Sequence, residues 1–290
     1  MIGVLLVNKP TGMTSHDVVQ RVRRALGTRR VGHAGTLDPL ATGLLVLAVG
    51  PATRFLQYLP LEPKEYFCTF LFGQCTNTYD SEGVVTQESE VPEDLPSRIS
   101  ATLPQFQGLI EQLPPIYSAI KKAGKPLYAY ARKGEEVEIE PRRVFIEAFE
   151  CLKVDQSRAD FRIVCSGGTY VRSLAHDLGL AIGCGAHVVE LQRTRVGQFD
   201  VDHSVELDEV SEARLVPLAT ALDPMPMVSL NAGQLERVYN GQWVKATSPP
   251  PEQHVALLDT DGFVVSIAKV EGDLLHPQCV IPCETTNGVV

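Results

Sequence analysis

Short apolar runs divide the chain into many strands and fewer helices. Strands are predicted at 2–8, 44–49, 66–72, 144–154, 161–165 and 187–191. Helices are predicted at 52–59, 97–107, 126–133 and 171–182. Because strands outnumber helices and do not alternate strictly with them, the pattern favours an α+β protein built on a largely antiparallel, mixed sheet.

One further helix has a clear start and a clear stop. Thr14 and Asp17 are spaced as an N-terminal capping pair, and the valines from Val18 to Val22 would face inward. Gly27 is the predicted end of this helix. A helix is therefore expected directly before a basic, glycine-rich stretch.

The C-terminal part reads as a second domain. A stretch from Pro217 to Pro226 suggests a boundary, after which a short helix from Ala232 to Asn240 leads into strands around an Asp261-Gly262 turn. We predict one domain at 1–225 and a small β-rich domain at 226–290. With 290 residues, 44% of them hydrophobic, the chain is long enough for two domains.

Composition narrows the functional classes. The longest apolar stretch, Gly43 to Gly50, is far shorter than the roughly 20 residues of a membrane span, so we expect no membrane partner and a cytoplasmic location. The seven scattered cysteines do not form a secreted disulfide framework. His276, Cys279 and Cys283 superficially resemble metal ligands, but no fourth ligand follows at a zinc spacing. We therefore predict no metal, and nothing indicates more than a monomer.

The net charge of −9 argues against a nucleic-acid partner until its distribution is considered. Two segments are locally basic, and both could bind phosphate or simply be solvated helix faces. They contain Arg21, Arg23, Arg24, Arg29 and Arg30, and Lys121, Lys122, Lys125, Arg132, Lys133, Arg142 and Arg143.

The segment with the most chemical content is GHAGTLDPLATG at 32–43. We interpret it as a polar loop whose glycines let the backbone approach a ligand closely. Asp38 is its single carboxylate, and a carboxylate is ionised at neutral pH and can attack an electrophilic carbon. The alternative is that Asp38 only forms a turn with Pro39.

This segment resembles the catalytic motif of the TruB family of tRNA pseudouridine synthases. Six further blocks resemble that family in the same order, so seven ordered blocks span residues 7–199. They are VNKPTGMTSHDVV at 7–19, KEYFCTFLFG at 64–73, TNTYDSEG at 76–83, PPIYSAIKKAGKPLYAYARKG at 114–134, CSGGTYVRSLAHDLG at 165–179 and LQRTRVGQF at 191–199. The C-terminal part is more loosely similar to the family's PUA-like RNA-binding domain.

The resemblance implies isomerisation of uridine 55 in the T-loop of tRNA to pseudouridine, by base flipping and without a cofactor. It makes Asp38 the nucleophile and Arg172 its ion-pair partner. Tyr66 would stack on the base with its hydroxyl placed for proton transfer at C5, Tyr170 would line the pocket, and Leu191 would form its apolar wall. Taken singly, each side chain also has a structural alternative: a surface ion pair for the arginine, and core packing for the tyrosines and the leucine.

Further positions of the family motifs are assigned to substrate binding. His33 would help to hold the base extruded, although a histidine in a loop is otherwise usually a solvated or capping residue. Supporting positions near the site are Lys9, Gly35, Thr36 and Asp80. Gly167 departs from the family, many members of which have lysine there, so one phosphate contact is in doubt.

Two other functions stay open. The chain could be a tRNA chaperone that binds the T stem-loop without turnover. It could also be a glycosidase-like hydrolase, which would need a second carboxylate opposite Asp38, and Asp80 is the best candidate.

Overall fold

The computed structural model describes residues 1–282 except 119, 123, 132, 136, 247 and 249. Arg132 and Cys283, which enter the predictions of a basic segment and of metal ligands, therefore lie outside the described residues.

The strands are β1 Gly3–Lys9, β2 Val31–Ala34, β3 Thr42–Val49, β4 Lys64–Phe72, β5 Gln74–Thr76, β6 Val85–Glu88, β7 Gly108–Gln112, β8 Lys121–Lys122, β9 Lys125–Pro126, β10 Arg142–Asp155, β11 Arg158–Cys165, β12 Ala186–Val196, β13 Phe199–Asp200, β14 Met227–Ser229, β15 Val244–Lys245, β16 His254–Leu258, β17 Val264–Glu271 and β18 Leu274–Val280. The α-helices are α1 Ser15–Ala25, α2 Leu95–Thr102, α3 Leu127–Ala131, α4 Val171–Ile182, α5 Leu218–Ala221 and α6 Ala232–Tyr239. Short 3₁₀ helices span Gly50–Tyr58, Leu103–Phe106, Val201–His203 and Glu212–Arg214.

A large mixed sheet forms the centre of the molecule. Its order is β1-β3-β12-β4-β11-β10-β7, with β2 paired to β3 and β13 paired to β12. Within this sheet β3 and β12 run parallel and the other pairs are antiparallel. Along β4, alternate residues from Tyr66 to Phe72 are buried, as expected for a strand that covers a core with one face. The predicted α+β fold with a largely antiparallel, mixed sheet is confirmed.

Some local predictions were wrong. The segment at 32–43 does not start as a loop, because Val31–Ala34 pairs with β3 as strand β2. The helix predicted at 52–59 is the 3₁₀ helix Gly50–Tyr58, and the one predicted at 97–107 changes from α to 3₁₀ after Thr102, where Pro104 lacks the N–H for an α-helical bond. At 32–43 strand pairing overrode the local pattern, and at 97–107 proline chemistry did.

The first helix starts and stops as predicted. Thr14 Oγ1 accepts a hydrogen bond from Asp17 N at 3.1 Å, and Asp17 Oδ2 accepts one from Thr14 N at 3.0 Å. Gly27, just beyond the helix, has φ +62°, a conformation that glycine adopts without steric cost. The capping box therefore fixes where α1 begins.

Replacing Thr14 by alanine should lower the free energy of unfolding by about 1 kcal/mol, because the cap hydrogen bond at the start of α1 is lost. In a chain of this size, that is a fall of about 2 °C in the thermal midpoint. Thr14→Ser keeps the hydroxyl and is the matched control, measured beside it by calorimetry. Equal losses in both variants would mean that the threonine methyl group, not the cap, carries the effect.

A second sheet lies in the C-terminal part, with the order β14-β16-β17-β18-β15. It shares an apolar cluster with the large sheet that includes Phe55, Leu218, Ala256, Ile267 and Ile281. The same cluster contains Val4 of β1 and Val46 of β3, so the two sheets share one apolar core. The domain boundary at 225/226 stays a prediction. None of the helices in the described part of the chain is long and apolar enough to cross a membrane.

Candidate active site

Two cavities meet at the carboxylate of Asp38. The first cavity, of about 340 Å³, is lined by residues of β4, β12 and the start of α4. The second cavity, of about 590 Å³, lies towards the start of α1. Thr36, Leu37, Asp38, Ser118 and Arg172 line both cavities. Asp38 is thus reachable from a compact cavity and from a larger, more apolar one.

Arg172 connects Asp38 to a second carboxylate. Its Nε lies 2.9 Å from Asp38 Oδ2, and its Nη1 lies 3.3 Å from Asp80 Oδ2. Nη1 also donates to the Thr78 carbonyl at 2.8 Å, and Nη2 donates to the Tyr117 carbonyl at 2.9 Å. Among the described residues Nε has no aligned hydrogen-bond partner, so its contact with Asp38 is an ion pair. One guanidinium therefore joins three chain segments around Asp38.

The three charged side chains differ in exposure. The side chain of Asp38 is 34% exposed, whereas those of Arg172 and Asp80 are each 4% exposed. Desolvation raises the pKa of Asp38 above its ordinary value, and the Arg172 guanidinium is the largest influence that lowers it again. Asp80 adds to the rise and Lys9 opposes it. Among these influences, Arg172 does the most to favour the ionised form of Asp38.

The backbone around Asp38 is held from two sides. Ser15 Oγ donates to the Leu37 carbonyl at 3.1 Å and accepts from Leu37 N at 2.8 Å. The fully buried Lys9 donates from Nζ to the carbonyls of Met13 at 2.7 Å, Pro10 at 2.9 Å and Pro39 at 3.3 Å. Desolvation lowers the pKa of Lys9 to about 8. All three N–H groups are used inside the protein, so Lys9 positions the loop and has none left for a substrate.

Asp80 is surrounded by hydrogen-bond donors. Its Oδ1 accepts from Thr78 Oγ1 at 2.5 Å and from Glu82 N at 3.1 Å, and its Oδ2 faces Arg172. Both carboxylate oxygens of Asp80 are thus engaged inside the protein, so its position is that of a partner for Arg172.

Tyr66, Leu191 and Tyr170 are brought together in the first cavity. Tyr66 on β4 is largely buried, and this burial raises the pKa of its phenol, so the hydroxyl keeps its proton at neutral pH. Tyr170 sits at the start of α4, where Gln112 accepts from its N–H at 2.8 Å and donates to its carbonyl at 3.0 Å. Two aromatic rings and a leucine thus flank the space in front of Asp38.

His33 lines the second cavity from strand β2, and not from a loop as predicted. Its Nε2 lies 3.3 Å from Thr36 Oγ1. Burial, with a smaller effect of Arg193, lowers the pKa of His33, so its ring is neutral at neutral pH. Gly35 and Thr36 line the first cavity, and Gly35 has φ +78°. A neutral ring and a tight backbone turn therefore stand at the border between the two cavities.

Two cations of the first cavity were missed in the sequence. Lys64 and Arg193 both line it, and Arg193, although fully buried, donates from Nη2 to the Gly35 carbonyl at 3.1 Å. Desolvation lowers the pKa of Lys64. Lys64 precedes Tyr66 by two positions, and Arg193 follows Leu191 by two. Alternate residues of a strand share a face, so this spacing could have identified both.

Gly167, where the resemblance predicts a lost phosphate contact, packs against Glu62. Its N–H donates to Glu62 Oε1 at 3.0 Å, and a Cβ at this position would lie 2.5 Å from the same oxygen. Any larger residue here would have to displace the Glu62 carboxylate. The effect on phosphate binding stays a prediction.

Sequence comparisons cover almost the whole chain. The profile described as "TruB family pseudouridylate synthase (N terminal domain)" matches residues 23–171, and "tRNA pseudouridylate synthase B C-terminal domain" matches residues 172–226. The chain is 42% identical over 282 residues to tRNA pseudouridine synthase B of Pseudomonas putida (strain GB-1), covering 93% of this chain and 92% of that protein. It is 44% identical over 291 residues to the protein of the same name from Thermobifida fusca (strain YX), with coverage of 96% and 98%.

Solved structures resemble the fold over nearly the same length. The chain in "Crystal Structure of a Cbf5-Nop10-Gar1 Complex" aligns with a TM-score of 0.70 at 28% identity, covering 97% of this chain and 85% of that one. The chain in "Structure of H/ACA RNP bound to a substrate RNA containing 2'-deoxyuridine" aligns with a TM-score of 0.70 at 25% identity, with coverage of 97% and 86%. The similarity therefore includes both sheets.

Proposed function

The chain belongs to the TruB family of pseudouridylate synthases, and we propose that its substrate is uridine 55 in the T-loop of tRNA. As a tRNA pseudouridine synthase it is an isomerase. The observation that carries the proposed mechanism is the partly exposed carboxylate of Asp38, which lines the first cavity and is paired with the buried Arg172. This arrangement keeps a nucleophile ionised where a flipped base would enter.

The base must first leave the RNA stack, at a cost of a few kcal/mol. In our proposal the uracil enters the first cavity, stacks on Tyr66 and rests against Leu191, and these contacts offset part of that cost. His33, on the side of the second cavity, would hold the base extruded. Of the supporting residues, Gly35 and Thr36 would contact the substrate, whereas Lys9 and Asp80 would act through Asp38 and Arg172.

In the proposed reaction Asp38 either attacks C1′ of the ribose or removes a proton from C2′ to give a glycal, and the bond from C1′ to N1 of the base breaks. The base then turns, and C5 forms a new bond to C1′ while the bond from Asp38 to C1′ breaks or, on the glycal route, while C2′ regains its proton from Asp38. C5 loses its proton and N1 gains one, and the Tyr66 hydroxyl would relay it by accepting the proton of C5 as its own passes on towards N1. Reactant and product have the same atoms and oxidation state, so the proposal includes no cofactor.

RNA recognition in this proposal depends on local basic surface. Arg21, Arg24, Arg29 and Arg30 are exposed, whereas Arg23 donates to the Val31 carbonyl at 3.0 Å. Lysines 121, 122 and 125 are exposed on the β8–β9 hairpin. We propose that these groups bind phosphate, that residues 226–290 add a PUA-like RNA-binding domain, and that the enzyme acts as a monomer. Binding should then weaken steeply with salt.

The two other functions fit the site less well. A glycosidase-like hydrolase needs a second carboxyl group that can give up a proton, whereas Asp80 is held by donors and by Arg172. A chaperone without turnover would have no use for the pairing of the partly exposed Asp38 carboxylate with the buried Arg172 guanidinium. Of the three proposals, the synthase uses the whole set of residues.

The proposal is tested by tritium release from a T-arm stem-loop that carries 5-tritiated uridine at position 55 only. We expect release with this RNA and none when the label is on another loop uridine, because one base is selected and C5 loses its hydrogen. Release from the other position, or binding of both RNAs without release, would contradict the proposed substrate. A control RNA with cytidine in place of uridine 55 measures binding without turnover.

A further inference from the structure

The chain segment at 78–80 bends around one nitrogen of Arg172. Nη1 of the guanidinium contacts the Thr78 carbonyl at 2.8 Å and Asp80 Oδ2 at 3.3 Å, so residues on both sides of Tyr79 hold the same atom. Tyr79 itself has φ +64°. Residues with a Cβ rarely adopt this left-handed conformation, and tyrosine is among the less suited. Tyr79 therefore forms the apex of a tight bend that local preference does not favour.

The ring of Tyr79 lies outside the two cavities and stacks on His176 of helix α4. Its centroid lies 3.9 Å from that of His176, and the two ring planes differ by 11°. His176 follows Arg172 by four residues on the same helix, so the two side chains share one helix face, one turn apart. The segment at 78–80 is thus attached to helix α4 in two ways, by polar contacts to Arg172 and by the stack of Tyr79 on His176.

The rest of the bend is anchored to β12. Val188 N donates to the Tyr79 carbonyl at 3.0 Å, and Ser81 N donates to the Val188 carbonyl at 2.9 Å. These bonds form a β-bridge between Asp80 and Val188, which attaches the bend to β12 but not to α4. The Tyr79–His176 stack is a contact between the bend and α4. Burial lowers the pKa of His176, so the stack forms between two neutral rings at neutral pH.

We propose that the Tyr79–His176 stack is a positioning device that holds Asp80 and the Thr78 carbonyl against Arg172, and through Arg172 sets the orientation of Asp38. The inference rests on the proposed role of Asp38 as the nucleophile. Neither ring lines the two cavities, so neither faces the space in which the base is proposed to lie. A device of this kind acts on turnover of the bound RNA and not on RNA binding.

The decisive variant is Tyr79→Gly, because glycine adopts φ +64° freely and keeps the bend while removing the ring. We expect the single-turnover rate to fall by about tenfold to a hundredfold, with the RNA concentration for half-maximal rate unchanged. Tyr79→Phe keeps the ring, so its rate should lie within about twofold of the wild-type rate. His176→Phe should likewise lie within about twofold of the wild type, whereas His176→Ala, which has no ring, should be slower.

Tyr58→Ala is the matched control. Tyr58 is another partly buried tyrosine in contact with a histidine, His254 at 5.5 Å between centroids, and it lies away from both cavities. Its removal should leave the rate unchanged, whatever it does to the thermal midpoint. Thermal midpoints of all variants separate a lower rate from a smaller folded fraction.

Three results would overturn the inference. They are a Tyr79→Gly variant with the wild-type rate, a loss confined to RNA binding, and a loss that Tyr79→Phe shares in full. Each is distinct from failure of the proposed function, which would appear as full activity of Asp38→Asn in the same assay. A normal rate in Tyr79→Gly beside an inactive Asp38→Asn would remove the positioning role and keep the nucleophile.

Discussion

Replacing Asp38 by asparagine is expected to lower the rate of pseudouridine formation by at least about 10³-fold, because the amide cannot form the covalent bond proposed for the carboxylate. RNA binding should persist, since the substitution keeps the size of the side chain. The measurement is tritium release under single-turnover conditions, at RNA and protein concentrations where binding is equal for both proteins.

The same variant should not be less stable than the wild type. Desolvation raises the pKa of Asp38, so above that pKa the ionised carboxylate is less favourable in the folded chain than in the unfolded one. Asparagine removes this cost at neutral pH, and the thermal midpoint should stay equal or rise. A lost rate beside a retained midpoint would then report chemistry and not unfolding.

Asp160→Asn is the matched control for that experiment. Asp160 accepts a hydrogen bond from Thr69 Oγ1 at 2.7 Å and lines neither of the two cavities at Asp38. Its substitution should leave the rate near that of the wild type. Product formation by Asp38→Asn at the wild-type rate would exclude Asp38 as the nucleophile.

The residues of the site could be named from the sequence because they lie in motif blocks, but most of their contacts could not. The pairing of Arg172 with Asp38 was expected from the resemblance, whereas the link from Arg172 to Asp80 and Thr78 depends on how the segment at 76–83 folds over α4. The local sequence pattern carries no information on how the segment at 76–83 packs against α4. The role of Tyr79 was invisible for the same reason.

Burial is the other quantity that the sequence did not determine. Lys9 looked like a group that could reach a substrate, but three carbonyls bind its ammonium inside the protein. Arg193 is likewise buried, although arginine is almost never fully buried without partners. His33 was assigned to a loop because glycines surround it, yet β3 offered it a strand partner. Tertiary partners decided each of these cases.

Arg172→Lys is expected to reduce the rate by about a hundredfold or more while keeping the positive charge. The guanidinium contacts Asp38, Asp80 and the carbonyls of Thr78 and Tyr117 from three different nitrogens. A single ammonium group cannot span these positions. Arg162→Lys is the matched control, since Arg162 also joins two carboxylates, Glu65 and Glu150, but lies outside both cavities. It should keep the wild-type rate.

The pH dependence of the rate gives a second test of Arg172→Lys, because the direction of its shift can be predicted. Arg172 is the strongest influence that lowers the pKa of Asp38, so its weakened contact in Arg172→Lys should let that pKa rise and move the acid limb of the rate profile to higher pH.

Asp80 acts in the opposite direction, because its negative charge raises the pKa of Asp38. In Asp80→Asn the acid limb should therefore move to lower pH, even if the rate at the plateau also falls. The two profiles are measured by single-turnover tritium release from about pH 5 to pH 9. Shifts in the same direction would mean that the acid limb belongs to a group other than Asp38. Opposite shifts are the result expected for Asp38, whose pKa Arg172 lowers and Asp80 raises.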